Sequence, residues 1–326
     1  MTMPSVVVTF EPRFPGMREA IEQTLDELAA VTFLSDSDSD RASALAAADA
    51  LLVWGIGAEL TQDELHRLDV DLVQLVSAGA NHVPFGLLAP SIRVAANGGG
   101  WAGPMAEHVL AMTLALAKRL PQNHALLARG VFDQRTPSKA LDGCVVAILG
   151  YGGIGRASAR LFRALGARIH AVTRSGRPEN DVELTASLDE LDGVVADADV
   201  LLLSLPLTVA TAGLIARREL ELMKPDAILV NVARAEIIDE DALYEHLRDT
   251  PSFSAGLDVW WQEGGRDGFA TRRPFFELPN VLGSPHVSAN AAGSPARAAG
   301  HAAENVARYL RGEAVLHLVD RAEYQH

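Results

Sequence analysis

A run of glycines between an apolar segment and a helical pattern constrains the fold of this chain most strongly. Val145–Leu149 is apolar throughout, the next six residues read Gly-Tyr-Gly-Gly-Ile-Gly, and Arg156–Leu165 has helical periodicity. Glycines with this GxGxxG spacing, between a strand and a helix, allow a tight turn and let the backbone approach a pyrophosphate at the helix N-terminus. We therefore predict a dinucleotide site formed by Gly150, Tyr151, Gly152, Gly153, Ile154 and Gly155. The alternative is a glycine-rich turn without a ligand.

The segment after the next predicted strand indicates which dinucleotide is preferred. Arg168–Val172 is followed by Thr-Arg-Ser-Gly-Arg, at a place where an acidic residue usually binds the adenosine ribose. Guanidinium groups attract a 2′-phosphate, which a carboxylate would repel. We therefore expect NADP(H) to be preferred over NAD(H), with cofactor contacts from Thr173, Arg174, Ser175 and Arg177. If the two arginines are only surface charges, the cofactor is NAD(H).

Short apolar runs alternate with helical patterns on both sides of the glycine run. Besides the two strands above, we predict strands at Val6–Phe10, Val31–Leu34, Leu51–Trp54, Leu72–Val76, Val200–Leu203, Ile228–Asn231, Phe253–Leu257 and Val281–Gly283. A βαβα order is typical of parallel sheets that are covered by helices on both faces. The sequence therefore predicts an α/β protein with two doubly wound parallel-sheet domains.

Composition narrows the possible partners. A chain of 326 residues is long enough for about two domains, and a net charge of −14 disfavours binding to nucleic acid. Uninterrupted apolar runs of about 18 residues, which a membrane helix requires, do not occur in the sequence. The N-terminal residues also lack the pattern of a secretory signal, so we expect a cytoplasmic protein. The single cysteine, Cys144, excludes an internal disulfide, and we expect it in the core.

Two features separate the two βα series. Three consecutive glycines, Gly98–Gly100, indicate a domain hinge. The helical pattern that follows, Met105–Leu120, is apolar almost all round, so we expect this helix to be buried, between domains or subunits. In this helix His108 follows Glu107 without the spacing of a metal site, so we expect His108 to be structural or exposed and expect no metal.

Three polar segments follow predicted strands, where doubly wound folds bind ligands: Asn231–Ala235, Gly256–Glu263 and Ser284–Val287. Together with Leu141-Asp142-Gly143, the Leu-Pro-Leu-Thr run that begins at Leu205, and Thr211, they resemble the D-isomer-specific 2-hydroxyacid dehydrogenases over nearly the whole chain. The resemblance is to the glyoxylate/hydroxypyruvate reductase-like members. It implies a hydride transfer between NAD(P)H and a small 2-keto acid or D-2-hydroxy acid.

The resemblance also implies a catalytic set, Arg234, Glu263 and His286. The residue types suit the reaction, because imidazole titrates near neutrality and can protonate the carbonyl oxygen as hydride reaches the carbon. A carboxylate at Glu263 would orient the ring, and the guanidinium of Arg234 would bind the carboxylate or carbonyl of a small anionic substrate.

The remaining site residues are implied by the resemblance alone. The substrate would be bound by Ser77, Ala78, Gly79, Asn97 and Trp101. Further cofactor contacts would come from Leu205, Pro206, Thr211, Val232, Ala233, Asp258 and Ser288. The family fold implies a discontinuous, flavodoxin-like substrate domain, 1–97 plus 287–326, and a Rossmann cofactor domain, 98–286. It also implies a homodimer with the helix Met105–Leu120 near the interface.

Two departures from the family pattern affect the expected site. Ala235 stands where the family usually has Gly, and Gly264 follows Glu263 where Pro is usual, which would loosen the loop that carries Glu263. The glycine-rich and basic stretch 264–273 has no interpretation. Two other functions remain possible: a catalytically weak nucleotide-sensing interaction protein of the same fold, and a phosphite-type dehydrogenase. The formate type pairs its histidine with Gln, which Glu263 disfavours.

Overall fold

The computed structural model describes residues 3–36, 40–264 and 269–324. The chain divides into two compact units. Unit 1 comprises Met1–Trp101 with Asn290–His326, and unit 2 comprises Ala102–Ala289. The first junction, between Trp101 and Ala102, comes one residue after the glycine run Gly98–Gly100.

Unit 1 contains a parallel sheet. Its described strands are β1 (Ser5–Val8), β2 (Ala30–Phe33), β3 (Ala50–Val53), β4 (Leu72–Leu75) and β5 (Arg93–Ala95). Their order, β2-β1-β3-β4-β5, is the flavodoxin-like order. The central strands are almost entirely apolar, with Gln74 as a buried exception, and they are buried on both faces, as helix-covered parallel strands require. Strand β5 was not predicted.

Short helices connect these strands. They are α1 (Met17–Leu25), α2 (Arg41–Ala46), α3 (Ile56–Glu59) and α4 (Gln62–Arg67). Asp40 caps α2, with its side chain accepting a hydrogen bond from the Ser43 backbone N–H at 3.3 Å. Asp40 ends a Ser-Asp-Ser-Asp-Ser-Asp run that begins at Ser35, and residues 37–39 of this run lie outside the described residues.

Unit 2 also contains a parallel sheet. Its described strands are β6 (Val145–Leu149), β7 (Arg168–Val172), β8 (Leu184–Ala186), β9 (Val200–Leu203), β10 (Ile228–Asn231), β11 (Ser254–Leu257) and β12 (Val281–Gly283). Their order, β12-β11-β10-β9-β6-β7-β8, reverses direction at β6 and has the Rossmann topology. The two doubly wound sheets confirm the predicted fold class. Only β8, again three residues long, was missed.

The helices of unit 2 are α5 (Ala102–Ala117), α6 (Leu120–Ala128), α7 (Gly153–Ala164), α8 (Leu191–Asp197), α9 (Arg217–Leu222) and α10 (Glu240–Asp249). The apolar pattern read as one helix to Leu120 is divided, because Arg119 adopts a left-handed backbone with φ 55° and Pro121 opens the first turn of α6. Helix α5 packs on α7, β10 and β11 of its own unit, so its burial does not require a second subunit.

The chain returns to unit 1 in its last helix, α11 (Ser294–Leu310), which packs against α1. This helix begins at Ser294, because Gly293 is left-handed with φ 73° and Pro295 occupies the first turn. Among the described residues, the helices are too short or too polar to traverse a bilayer. Cys144 is half-buried just before β6 and not in the core, and its thiol donates to the Ala140 carbonyl at 2.9 Å.

Candidate functional site

The glycine run forms the turn between β6 and α7, and its glycines have distinct roles. Gly150 is left-handed with φ 92°, and a Cβ there would lie 2.6 Å from the backbone nitrogen of Leu205. A Cβ on Gly155 would collide with the Gly150 carbonyl oxygen, so this glycine permits close contact between helix and strand. A Cβ on Gly152 would meet open space. The opening at Gly152, directly at the N-terminus of α7, fits a pyrophosphate.

The arginine-containing segment after β7 is a turn that its own hydroxyls stabilise. The Thr173 hydroxyl accepts a hydrogen bond from the Gly176 N–H at 3.1 Å, and the Ser175 hydroxyl accepts one from the Arg177 N–H at 3.3 Å. The side chains of Arg174 and Arg177 are exposed. The turn therefore presents both guanidinium groups at the surface, beyond the carboxyl end of the strand next to the glycine run.

Tyr151 of the glycine run interacts with Arg156 of helix α7. Tyr151 is buried, and the Arg156 guanidinium lies 4.8 Å from the centre of its ring. Arg156 also donates to both carboxylate oxygens of Glu179, at 2.8 and 2.7 Å. Burial raises the pKa of the Tyr151 hydroxyl, which stays protonated at neutral pH. Sequence reasoning did not anticipate this Arg156–Glu179 pair.

The loop after β9 lies against the glycine run. Leu205 is the residue that the backbone of Gly150 approaches. The Thr211 hydroxyl donates to the Pro206 carbonyl at 2.7 Å and accepts from the Thr208 N–H at 2.8 Å. Leu205, Pro206 and Thr211 thus form one fixed loop beside the predicted cofactor site.

The loop after β10 is held by the fully buried side chain of Asn231. Its Oδ1 accepts from the Ala233 N–H at 2.9 Å, and its Nδ2 donates to the Arg234 carbonyl at 2.8 Å. Arg234 is half-buried, with extended backbone, and its Nη1 donates to the Ala233 carbonyl at 2.7 Å. Val232 and Ala233 are buried beneath it. Ala235 begins a 3₁₀ turn, Ala235–Ile237, a right-handed conformation that alanine adopts as readily as glycine.

His286 and Glu263 form a hydrogen-bonded pair. The distance from His286 Nδ1 to Glu263 Oε2 is 2.7 Å, and both side chains are about 40% exposed (43% and 40%). The second oxygen, Oε1, accepts from the Trp260 N–H at 3.0 Å. Both carboxylate oxygens are thus engaged, which fixes Glu263 although Gly264 follows it. Residues 265–268 of the uninterpreted stretch lie outside the described residues.

A buried carboxylate holds the backbone around His286. Asp258 is fully buried, its Oδ1 accepts from the Val287 N–H and its Oδ2 from the Ser288 N–H, both at 2.9 Å, and its own carbonyl accepts from the His286 N–H at 2.8 Å. These bonds stabilise His286 in a left-handed conformation with φ 52°, which is costly for a non-glycine residue. Asp258 therefore positions His286.

His108 also belongs to this network, which sequence reasoning missed. Its Nε2 lies 2.9 Å from the Ser284 hydroxyl, and that hydroxyl donates to Asp258 Oδ1. The distance from His108 to the same oxygen is 3.7 Å. The Ser288 hydroxyl is buried, with no partner among the described residues, so it remains available to a ligand. In the sequence, only the adjacent Glu107 drew attention to His108, and no local pattern predicted the contact between His108 and Ser284.

The predicted substrate loop lies in unit 1, after β4. The Ser77 hydroxyl donates to the Gly79 carbonyl at 3.0 Å, and Ala78 is exposed. Asn97 and Trp101 are buried, and both side chains donate to the Val76 carbonyl, at 2.9 and 2.7 Å. These two residues therefore support the loop from within unit 1.

Three neighbouring strands bring the catalytic candidates to one edge of the unit 2 sheet. Arg234 follows β10, Glu263 follows β11 and His286 follows β12, and these strands are adjacent and parallel. The structure thus pairs His286 with Glu263 directly and places Arg234 at the same carboxyl edge as the glycine run. Clusters of three or more acidic, His or Cys side chains that could hold a metal are absent from the described residues.

Comparisons with known proteins agree with this arrangement. Residues 110–288, more than half of the chain, match the family described as D-isomer specific 2-hydroxyacid dehydrogenase, NAD binding domain. A glyoxylate reductase from Thermococcus gammatolerans is 36% identical over 179 residues, 55% of this chain and 52% of that protein. A D-3-phosphoglycerate dehydrogenase from Methanocaldococcus jannaschii is 34% identical over 221 residues, 66% of this chain and 41% of that protein. The chain thus spans about half the length of these curated relatives.

Solved structures match over almost the whole chain. A Pyrobaculum aerophilum protein, named provisionally as a formate dehydrogenase, has a TM-score of 0.82 and 30% identity and covers 98% of this chain and 99% of its own. A D-isomer specific 2-hydroxyacid dehydrogenase from Xanthobacter autotrophicus, in complex with NADPH and MES, has a TM-score of 0.81 and 25% identity and covers 99% and 100%. From its fold, its NAD-binding domain and the sequence match, the chain belongs to the D-isomer specific 2-hydroxyacid dehydrogenase family.

Proposed function

We propose that this chain reduces a small 2-keto acid to the D-2-hydroxy acid with a nicotinamide cofactor. The observation that carries the proposal is the 2.7 Å pair of His286 and Glu263 at the same sheet edge as Arg234 and the glycine run. Glyoxylate reductases among the relatives support it. The intact pair disfavours a non-catalytic sensing protein, and a glutamate rather than a glutamine beside His286 disfavours the formate type.

Bound NAD(P)H supplies the hydride for this reaction. As charge develops on the carbonyl oxygen, His286 Nε2 donates the proton that converts the oxygen to a hydroxyl, while Nδ1 remains bonded to Glu263. Arg234 stabilises the developing charge and binds the substrate carboxylate through its fork of donors. Asp258 and Asn231 keep His286 and Arg234 in position.

The test is oxidation of NADPH or NADH in the presence of a panel of 2-keto acids, with His286→Ala as the comparison. The wild type should reduce at least one of them, and the variant should lose roughly 100-fold or more in kcat, the usual contribution of a positioned general acid. Cofactor binding, measured by the fluorescence of bound NADPH, should persist in the variant. Full activity of the variant, or a wild type inactive on every keto acid, would refute the proposal.

We further propose that NADP(H) is preferred over NAD(H). The exposed guanidinium groups of Arg174 and Arg177 follow β7, and a relative has been solved with NADPH. The double variant Arg174→Ala/Arg177→Ala should raise the KM for NADPH at least about tenfold and leave the KM for NADH nearly unchanged, because only NADPH carries the 2′-phosphate. A wild-type kcat/KM for NADH that equals or exceeds the value for NADPH would contradict this preference.

We propose a homodimer in which α6 and the segment after it form the interface. Every residue of α6 is at least partly exposed, whereas α5 is covered within its own unit. The exposed apolar side chains of this surface are Leu120, Leu127, Val131 and Phe132. Phe132, 74% exposed, is typical of a side chain that an interface covers. We therefore assign the proposed interface to α6 and the segment after it, and not to the whole predicted helix Met105–Leu120.

A further inference from the structure

A cavity of about 760 Å³ lies in unit 2, at the edge of the sheet where its strands begin. It is lined by Ile228, the first residue of β10, by Ser254, the first residue of β11, and by Asn280, the residue before β12. The end of α5, the start of α6 and the segment 136–139 complete the lining. The catalytic candidates follow the other ends of the same parallel strands, so this amino-edge cavity is remote from them.

Arg119, between α5 and α6, lines the amino-edge cavity with an unpaired guanidinium group. Its Nη1 is shielded from solvent and has no hydrogen-bond partner among the described residues. The carboxylate of Asp133, which follows α6, is engaged elsewhere, since it accepts from the N–H groups of Arg135 and Thr136 at 2.9 and 3.3 Å. A cation that is partly withdrawn from water without a partner is unfavourable, and an anion in the cavity would stabilise it.

Gln122, in the first turn of α6, adds an unpaired acceptor to the same cavity. Its Nε2 donates to the Pro279 carbonyl at 2.5 Å, and its Oε1 is buried with no partner among the described residues. Six buried side-chain nitrogen or oxygen atoms of the described residues lack a partner, and two of the six belong to Arg119 and Gln122. Buried polar atoms of folded proteins are paired in the great majority of cases. A ligand with one acceptor and one donor would pair both atoms.

The other charges of the cavity lining are compensated. Among the described residues that line it, Asp226 is the only acid, and its Oδ2 lies 2.9 Å from Lys139 Nζ. The same Nζ donates to the Asp226 carbonyl at 2.7 Å and lies 3.7 Å from Asp199 Oδ1. Arg119 therefore gives the cavity a positive charge, within a protein whose net charge is −14. This charge favours an anionic ligand.

Most of the remaining cavity surface is apolar. The Ser252 hydroxyl is turned to the protein, where it donates to the Pro225 carbonyl at 2.6 Å. A volume of about 760 Å³ with an apolar lining suits a small organic molecule better than an inorganic ion, which would leave that lining uncovered. The apolar residues that line the cavity are Leu116, Ala117, Pro137, Ile228, Pro251 and Pro279.

The backbone of Arg119 is also unfavourable for a residue with a side chain. Its φ of 55° is left-handed, a conformation that glycine adopts more readily. Such conformations in non-glycine residues are found preferentially at functional sites. Because the guanidinium forms no bond that stabilises the protein, a ligand accounts better for an arginine here than the fold does.

We propose that the amino-edge cavity binds a small organic carboxylate with a hydroxyl group on an apolar body. The carboxylate accepts from Arg119, the hydroxyl donates to Gln122 Oε1, and the apolar body covers Leu116 and Pro279. This site goes beyond the proposed reductase function, since it lies at the sheet edge opposite Arg234. It is also separate from the proposed α6 interface, whose exposed apolar side chains do not belong to the described lining of the cavity.

The experiment measures the binding of 3-hydroxybenzoate, benzoate, 3-hydroxybenzamide and inorganic phosphate by calorimetry. The wild type should bind 3-hydroxybenzoate at least about tenfold more tightly than the neutral amide or phosphate, because the carboxylate forms charge-assisted bonds and the ring covers the apolar lining. Arg119→Gly should weaken its binding about tenfold or more. The melting temperature of Arg119→Gly should not fall, since glycine suits the left-handed backbone. In Gln122→Leu, 3-hydroxybenzoate should bind no more tightly than benzoate.

Two further variants locate the ligand. Arg129→Gly removes an exposed guanidinium at the other end of α6, outside the described cavity lining, and should bind 3-hydroxybenzoate like the wild type. Arg234→Ala should also bind it like the wild type, whereas weakened binding there would assign the ligand to the substrate site and overturn the proposal. Undetectable binding by the wild type, equal binding by Arg119→Gly, or phosphate bound as tightly as 3-hydroxybenzoate would overturn it too. None of these results depends on reduction of a keto acid.

Discussion

At the scale of single residues, one carboxylate connects two parts of the site. Glu263 accepts from the His286 ring with one oxygen and from the Trp260 backbone with the other. The ring orientation therefore depends on a residue that itself has little freedom. The left-handed backbone of His286, with φ 52°, is energetically unfavourable. Three hydrogen bonds from the surrounding backbone N–H groups to the buried Asp258 stabilise this conformation.

Replacement of Glu263 by Gln tests this arrangement. A glutamine has one oxygen and one NH₂ group, so it cannot accept from both the Trp260 N–H and the His286 ring. We expect Glu263→Gln to lower kcat roughly tenfold or more, because the proton donor loses its orientation, with little change in melting temperature. Steady-state kinetics and thermal denaturation measure the two effects. Glu313→Gln, at a surface pair with Arg308, is the control, and unaltered kcat in Glu263→Gln would remove its positioning role.

At the scale of elements, the glycines of the β6–α7 turn are required for two different reasons, the packing of the protein and the space for a ligand. Gly150 and Gly155 are required by protein contacts alone, since a Cβ on either would meet backbone atoms. Gly152 has φ −83°, which alanine tolerates, and a Cβ there would meet no protein atom within 4 Å. Any requirement for glycine at this position therefore comes from a ligand.

Alanine substitutions should distinguish these two requirements. Gly152→Ala should keep the wild-type melting temperature and weaken NADPH binding at least about tenfold, because the methyl group occupies the pyrophosphate space. Gly155→Ala should lower the melting temperature by several degrees, since the helix must move from the strand. Thermal denaturation and fluorescence titration with NADPH report both. Gly193→Ala, which also meets open space but lies in α8, should behave like the wild type. Unchanged NADPH affinity in Gly152→Ala would argue against the site.

The N-terminus of α4 provides a pH-dependent contribution to stability. The Arg41 guanidinium, with help from the backbone and hydroxyl of Thr61, lowers the pKa of Glu64 from 4.5 to about 2. A carboxyl group whose pKa is lower in the folded than in the unfolded protein contributes its full stabilisation at pH values above the unfolded-state pKa. This contribution is lost as the pH falls from about 4.5 toward 2. Glu64 also forms the capping box with Thr61.

Glu64→Gln should therefore lower the melting temperature at pH 7 by a few degrees, corresponding to about 1 kcal/mol for a partly exposed, capped pair. The difference from the wild type should shrink as the pH is lowered from 4.5 to 2.5, where the wild-type carboxyl approaches protonation. Melting curves at pH 7, 4.5, 3.5 and 2.5 test this. Glu11→Gln, in the exposed pair with Arg13, should show no difference at any pH. A constant Glu64→Gln difference would contradict the assignment.

At the scale of the whole molecule, surface composition bears on assembly. The charge of −14 makes separate copies repel one another, so a contact surface that is poor in acidic side chains favours association. The surface of α6 and the following segment meets this requirement, with Leu127 and Phe132 57% and 74% exposed. The same net charge requires a locally positive site for an anionic substrate, a role that we propose for Arg234.

Charge substitutions on this surface test the proposed dimer. In Leu127→Glu/Phe132→Glu, four buried carboxylates per dimer would be desolvated and would repel one another, so sedimentation should show a monomer at micromolar concentration. Leu222→Glu, on the exposed side of α9, should sediment like the wild type. A wild type that sediments as a monomer, or a double variant that remains dimeric, would disprove the α6 interface.

Much of the fold and part of the site could be read from local patterns. The strands β6, β7, β9, β10 and β12 have the predicted bounds. In β6, β9 and β10 every residue is buried, as helix-covered parallel strands require. The pairing of His286 with Glu263 matches what the resemblance implied. The cofactor and substrate contacts proposed for the remaining residues stay predictions.

The sequence by itself determined the two parallel-sheet units and the order of the chemical segments, since periodicity, glycine placement and strand ends are properties of neighbouring residues. Only the tertiary structure decided which distant residues meet. It placed His108 against Ser284, made Asp258 a buried anchor of the His286 backbone, and joined Trp101 to Trp54 and Val76. Such contacts depend on the order of strands in a sheet and on burial, which no local pattern encodes.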